Sequence, residues 1–171
     1  MPGTARQKGK RTMSSKGEAG IGQVAASVVQ YEFEIAISAD RATVWGALTE
    51  QVSAWWLKDF HVLGADSIVT LDPVAGGRLV EQNGDKGLLW YTVIAVAPHE
   101  MLSLAGHCTP EWGGPCTTLL TLKLVEEGAA TRLVVTDALY GKVTEGQVDS
   151  LRSGWMQMFD TGLRGFVERS A

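Results

Sequence analysis

From Gln30 to Ile37 the chain alternates Tyr31, Phe33, Ile35 and Ile37 with Glu32, Glu34 and Ala36, the two-residue period of a strand with one buried face. Ser38 is placed to cap a following helix, whose apolar positions Val44, Trp45, Leu48 and Val52 recur at helical spacing. A second short helix is expected to carry Trp55 and Trp56. Extended segments then follow one another between turn residues: Ser67 to Leu71 before Asp72-Pro73, Arg78 to Gln82 before Asn83-Gly84, Leu88 to Ala97 before Pro98, and Met101 to Gly106. Beyond an irregular run from His107 to Cys116, Thr117 to Val125 and Thr131 to Tyr140 form a long hairpin around Glu126-Glu127-Gly128. Leu120, Leu122 and Leu124 share one face of its first strand, and Leu133, Val135 and Leu139 one face of its second.

Such a face needs a cover. Thr144-Glu145-Gly146-Gln147 fits a capping box and opens a helical stretch to about Arg169, with Val148, Leu151, Trp155, Met158, Phe159, Gly162 and Phe166 on one side. At 1.5 Å per residue it would be roughly 39 Å long, enough to cross a sheet. Gly154, Gly162 and Gly165 inside it each cost on the order of 1 kcal/mol against alanine, so close approach of a strand, a bend or room for a ligand should offset them. Strand, two short helices, about six strands and one long helix make an α+β domain with a helix packed on an antiparallel sheet.

A chain of 171 residues fits one such domain, and this size buries about two thirds of the unfolded surface without disulfides or metals. Charge is uneven: residues 1–28 carry five cations against one acid, +4, which leaves −8 on residues 29–171 of a chain of net −4. Residues 1–28 therefore read as a flexible basic arm and 29–171 as the domain, whose acidity argues against a nucleic-acid-binding surface. No run approaches the roughly 20 apolar residues of a membrane span, and no amino-terminal apolar run suggests export, so a cytoplasmic protein is expected.

The chemistry on offer is aromatic. Three of six tryptophans fall between Trp45 and Trp56, and Trp56, Trp90, Trp112, Trp155, Met158 and Phe159 are candidates to line a pocket for a flat apolar ligand. Arg78 is a further candidate, able to meet a carboxylate or phosphate if it turned inward, although an arginine there more often ends a strand in solvent. Arg78 and Glu81 point to opposite faces and make no acid/base pair. His61 reads as a partly exposed loop histidine rather than a general base. His107, Cys108 and Cys116, with Glu111 or His99, lack the spacing of a zinc site, and the two cysteines are open to a disulfide or to two free thiols. No nucleotide-binding glycine motif, Gly-x-Ser-x-Gly elbow or His-Glu-x-x-His is present, so no catalytic residue, metal or cofactor is assigned.

Ile37 to Thr49, Ala54-Trp55-Trp56, the Gly76-Gly77-Arg78 turn, Leu89-Trp90 ahead of Val93 and Pro98, and Gly154-Trp155 together give the chain a resemblance. In order and spacing it resembles the START-like, helix-grip superfamily, and within it the bacterial proteins similar to the heat-shock-protein-90 ATPase activator. The resemblance implies a curved seven-stranded antiparallel sheet wrapped around a long C-terminal helix, with two short helices after the first strand. It also implies an apolar cavity between sheet and helix, with Trp56, Trp90 and Trp155 around it. Asp40 stands where the family usually has proline, which changes only the helix cap. The co-chaperone's additional amino-terminal domain and its Trp/His/Asn-rich segment have no counterpart, which argues against chaperone activation. The expected function is to bind a small apolar or amphipathic molecule as carrier or sensor. The alternatives are a cyclase- or hydratase-like enzyme using the same cavity, and a protein-interaction or cochaperone-like module.

Overall fold

The computed structural model of the protein describes residues 22–170. The basic arm lies mostly outside the described residues. The first strand, β1 (Ser27–Ile37), takes in the last two positions of the stretch read as an arm, Ser27 and Val28, which pair with Gly141 and Tyr140. Two short helices follow, α1 (Arg41–Glu50) and α2 (Val52–Trp55). Then come β2 (Ile68–Leu71), β3 (Arg78–Asn83), β4 (Lys86–Ala97), β5 (Met101–Cys108), β6 (Cys116–Glu127) and β7 (Ala130–Gly141). The seven strands form one antiparallel sheet in the order β1-β7-β6-β5-β4-β3-β2, a meander that β1 completes by pairing with β7. This is the helix-grip α+β architecture: a curved sheet holding a long C-terminal helix.

The first helix starts where a side chain reaches its free amides. Asp40, not Ser38, is the cap: its carboxylate accepts from the Thr43 amide at 2.8 Å and the Thr43 hydroxyl at 3.0 Å. The Ser38 amide instead donates to the Glu168 carboxylate at 2.9 Å, a contact 130 residues away that local sequence does not signal. At the other end of the chain Thr144 caps α3 (Glu145–Gln157) by accepting from the Gln147 amide, as the capping box requires.

The long helix is not uniform. Between α3 and α4 (Gly165–Ser170) the residues Met158–Arg164 take π-helical turns, which widen the helical repeat. The buried stripe therefore shifts. Trp155, Met158, Phe159 and Gly162 face the core as the sequence period predicts, but Leu163 and Val167 are then buried while Phe166 is only partly so. Gly162 explains why the distortion is held in place. A Cβ there would sit 2.6 Å from the Trp55 carbonyl oxygen, so the glycine admits the backbone of α2. The close approach expected from the helix glycines is thus to a short helix, not a strand.

Gly146, by contrast, has open space where a Cβ would stand, with no atom within 4 Å, so only helix propensity acts there. Gly146→Ala should raise stability by up to about 1 kcal/mol. Gly162→Ala should lower it by about 1–2 kcal/mol, since overpacking against backbone outweighs the propensity gain. Thermal melts of the two variants, moving in opposite directions, check this.

Candidate functional site

Along the middle of the helix the space between helix and sheet is filled. Trp55, Trp56, Phe159 and Trp155 pack there against Leu79, Leu102, Leu104, Leu120 and Leu122, leaving a void of only about 20 Å³. The rings form a chain: Trp155 stacks on Phe159 at 5.3 Å and 14°, and Trp56 meets Trp155 edge to face at 6.3 Å. Met158 and Phe159 are 1% exposed and serve as core. Trp45, the first of the clustered tryptophans, packs on His99 at 5.8 Å.

Space opens at one end, between β4, β5, β6 and the first half of α3. This cleft, of about 270 Å³, is walled by Leu89, Trp90 and Tyr91 from β4 and by His107 and Cys108 from β5. Thr118 of β6 lies on its floor, and Gln147, Ser150, Leu151 and Trp155 of α3 roof it. Trp112, in the loop between β5 and β6, is 45% exposed and leans on Trp90 at 6.2 Å, forming the outer lip. Of the sequence candidates, the structure brings Trp90, Trp112 and Trp155 together in this cleft. Trp56 does not line it and lies behind its wall, against Trp90 at 5.6 Å and Trp155 at 6.3 Å. Arg78 is exposed at the start of β3 and does not line the cleft.

Each aromatic wall is held by a specific contact. Tyr91 lies flat over Gly106, where a Cβ would come within 2.8 Å of its ring, so the glycine of β5 seats the tyrosine. The Trp90 indole N–H donates to the Glu81 carboxylate at 3.1 Å. Glu81 is fully buried and also accepts from the amides of Leu63 at 2.8 Å and Val62 at 3.2 Å and from the Ser67 hydroxyl at 2.5 Å. Burial raises its pKa, but these four hydrogen bonds outweigh burial and hold the carboxyl below its ordinary value. His61 joins this cluster, with Nδ1 2.6 Å from Ser67 Oγ and 3.6 Å from Glu81. The expectation of a partly exposed loop histidine is therefore corrected: the His61 side chain is 6% exposed, drawn in by Ser67 and Glu81.

A second buried carboxylate lies behind the floor. Asp137 of β7 is fully buried and accepts from the Tyr31 hydroxyl at 2.8 Å and from the Thr118 hydroxyl. Burial raises the Asp137 pKa, against the pull of both hydrogen bonds. Burial and the Asp137 charge push the Tyr91 and Tyr31 phenols above their ordinary range, so both stay protonated. Sequence reasoning missed Asp137 and Thr118, although a signal was present. Asp137 interrupts the inward series Leu133, Val135, Leu139, and Thr118 precedes the inward series Leu120, Leu122, Leu124.

Cys108 and Cys116 are free thiols that face each other in the β5–β6 register. Burial and the neighbouring Cys116 push the Cys108 thiol up to about 11. His99 lies at the far end of β5, roughly 20 Å along the strand from Cys108, and cannot join them at a metal. Among the described residues no group of three or more His, Cys, Asp or Glu side chains could hold a metal ion, and no helix is long and apolar enough to cross a membrane.

A curved sheet gripping a helix, with an aromatic cleft at one end, defines a START-like helix-grip protein. Residues 38–168 match the family described as activator of Hsp90 ATPase homolog 1-like protein, and the chain belongs to that family. Among solved structures it is similar to an uncharacterised protein from Rhizobium leguminosarum, at 21% identity and a TM-score of 0.65 over 85% of this chain and 97% of that one. It is also similar to the Mll3558 protein from Rhizobium loti (15% identity, TM-score 0.66, 84% and 99% covered) and to Ara h 8.0201 (13%, 0.60, 84% and 99%). These likenesses concern the fold. Among curated proteins nothing matches the sequence.

Proposed function

We propose that the protein binds a small apolar or amphipathic molecule in the cleft between β4–β6 and α3, as a carrier or sensor in the cytoplasm. The observation that carries this reading is the cleft itself: about 270 Å³ walled by Trp90, Tyr91, Trp112 and Trp155 at the one end where helix and sheet part. Aromatic walls with few polar groups are the usual make-up of small-molecule sites. The START-like fold generally holds hydrophobic ligands, which supports the same reading. The middle of the fold, closed by Trp55, Trp56 and Phe159, leaves no room for one.

Native mass spectrometry of protein purified gently from its own host tests the proposal, with a stoichiometric adduct as the expected result. Trp112 supplies a sharper check. Because it is half exposed and rests mainly on Trp90, Trp112→Ala should change stability by less than about 0.5 kcal/mol. It should weaken naphthalene binding about five-fold, measured by calorimetry, because one aromatic wall is gone. Unchanged affinity would place the ligand elsewhere.

A further inference from the structure

Two thiols stand at the neck of the loop that carries Trp112. Cys108 ends β5, Cys116 opens β6, and the two are direct partners in the antiparallel register. Both belong to the inward series of their strands, Leu102, Leu104, Gly106 and Cys108 on one and Cys116, Thr118 and Leu120 on the other. Cys108 lines the cleft, whereas Cys116 is 6% exposed and its sulfur accepts from the Gln147 side-chain amide at 3.6 Å. Directly opposed residues of an antiparallel pair hold their Cβ atoms about 4.5–5.5 Å apart, close to the roughly 3.5–4.5 Å that a disulfide spans.

The backbone sets this spacing before any bond forms. Gly114 lies so close to Cys108 that a Cβ there would collide with the Cys108 carbonyl oxygen, and the Gly114 amide donates to the Thr109 carbonyl at 2.9 Å. On the other side, a Cβ at Gly141 of β7 would come within 2.8 Å of the Cys116 Cα, and the Lys142 amide donates to the Pro115 carbonyl at 2.9 Å. Two glycines thus clamp the neck where any larger residue would displace it. The chain has two cysteines in all, so within one molecule each has only the other to meet. Burial and the neighbouring Cys116 keep the Cys108 thiol protonated at neutral pH, which makes it a poor target for a passing electrophile. The facing sulfur changes the outcome, because a mixed disulfide formed at Cys108 is open to attack from across the strand pair.

We propose that Cys108 and Cys116 are a reversible redox pair, a modification site for low-molecular-weight disulfides. The Cys108 thiolate, reached through the cleft, attacks one sulfur of a disulfide R–S–S–R and releases R–S⁻. The Cys116 thiolate then attacks Cys108 Sγ and releases the second R–S⁻, leaving a Cys108–Cys116 bond. The two cysteine protons end on the two released thiolates, so two protein thiols are oxidised and one small disulfide is reduced to two thiols. The bond closes the loop between Cys108 and Cys116 covalently at its neck and locks the lip that Trp112 forms. This chemistry goes beyond ligand binding and holds whether or not the cleft takes a ligand.

Glutathione buffers of increasing oxidised fraction test this on the full chain, with free thiols trapped by N-ethylmaleimide and counted by intact mass. The native chain should pass from two trapped thiols to none while staying monomeric, and dithiothreitol should restore both. The oxidised chain should melt about 5 °C higher, because the bond restricts the unfolded chain. Amide hydrogen exchange across residues 109–116 should slow about ten-fold, because the neck can no longer open. Cys116→Ser should stop at a mixed disulfide with glutathione on Cys108, and Cys108→Ser should stay unmodified. Two thiols that persist in oxidised glutathione, in a chain that oxidises once unfolded in guanidinium, overturn the pairing, and so do disulfide-linked dimers. A bond that dithiothreitol leaves intact in the folded chain overturns its reversibility. Unchanged exchange in the loop overturns the lock, and modification of Cys108→Ser in place of Cys116→Ser overturns the order of attack.

Discussion

Glu81→Leu is expected to lower stability by about 3–5 kcal/mol, because it removes the acceptor that four donors share and sets an apolar side chain among them. The four are the Val62 and Leu63 amides, the Ser67 hydroxyl and the Trp90 indole, all of which converge on one fully buried carboxylate. In a chain of this size the loss corresponds to a fall in Tm of roughly 10 °C. Glu81→Gln keeps the shape and one acceptor oxygen, and should fall between Leu and the native residue. A Leu variant that melts within about 2 °C of the native chain would show that the loop finds other partners.

The same carboxylate gives a pH signature with a definite sign. Burial raises the Glu81 pKa, and the hydrogen bonds from Ser67, Leu63, Val62 and Trp90 together lower it by more, so the folded value lies below the ordinary 4.5. A carboxyl whose folded pKa is depressed contributes stability that is fully present above its unfolded pKa and is lost as pH falls through the folded value. The difference in stability between the native chain and Glu81→Gln should therefore be constant above about pH 5 and shrink below about pH 4.5. Denaturant melts across that range measure it. A functional consequence follows, since Glu81 fixes the Trp90 indole that walls the cleft: Glu81→Gln should weaken ligand binding even where the fold is intact.

Strand pattern is local chemistry, and it was readable: β1 alternates apolar and polar residues, and the other six strands lie between the turn residues that punctuate the chain. The carboxylates that organise the site were readable in the same way, as charges in inward positions. Glu81 follows Leu79 on the inner face of β3, and Asp137 sits between Val135 and Leu139 on that of β7. Their partners were not readable, because they come from other segments: Val62, Leu63 and Ser67 from the loop after α2, and Tyr31 from β1. Nor was the π-helical segment. Spacing alone continues the stripe from Gly162 to Phe166, and only the approach of the Trp55 carbonyl to Gly162 shows why Leu163 and Val167 take over. The cap lies at Asp40 rather than Ser38 because both residue types cap helices and it is the Asp40 carboxylate that reaches the Thr43 amide.

Phe159→Ala should cost about 3–5 kcal/mol, and it decides whether the ring chain is core or ligand wall. Phe159 is 1% exposed, stacks on Trp155 at 5.3 Å and meets Trp55 at 6.1 Å. Around it the existing void is only about 20 Å³, so the truncation creates a new apolar cavity rather than enlarging a functional one. Trp55 is anchored by its N–H donating to the Ala47 carbonyl at 2.8 Å and cannot swing in to fill the space. An apolar hole of this kind stays dry and accepts a small aromatic molecule. Benzene should therefore raise the Tm of Phe159→Ala and leave that of the native chain unchanged, because a ligand that binds only the folded state stabilises it by mass action. If the variant instead melted like the native chain and lost affinity for naphthalene in the outer cleft, Phe159 would belong to the binding wall. The closed middle and the open end of the fold would then be one site, and the filling of the cavity by Trp55 and Trp56 would be a closed state of it.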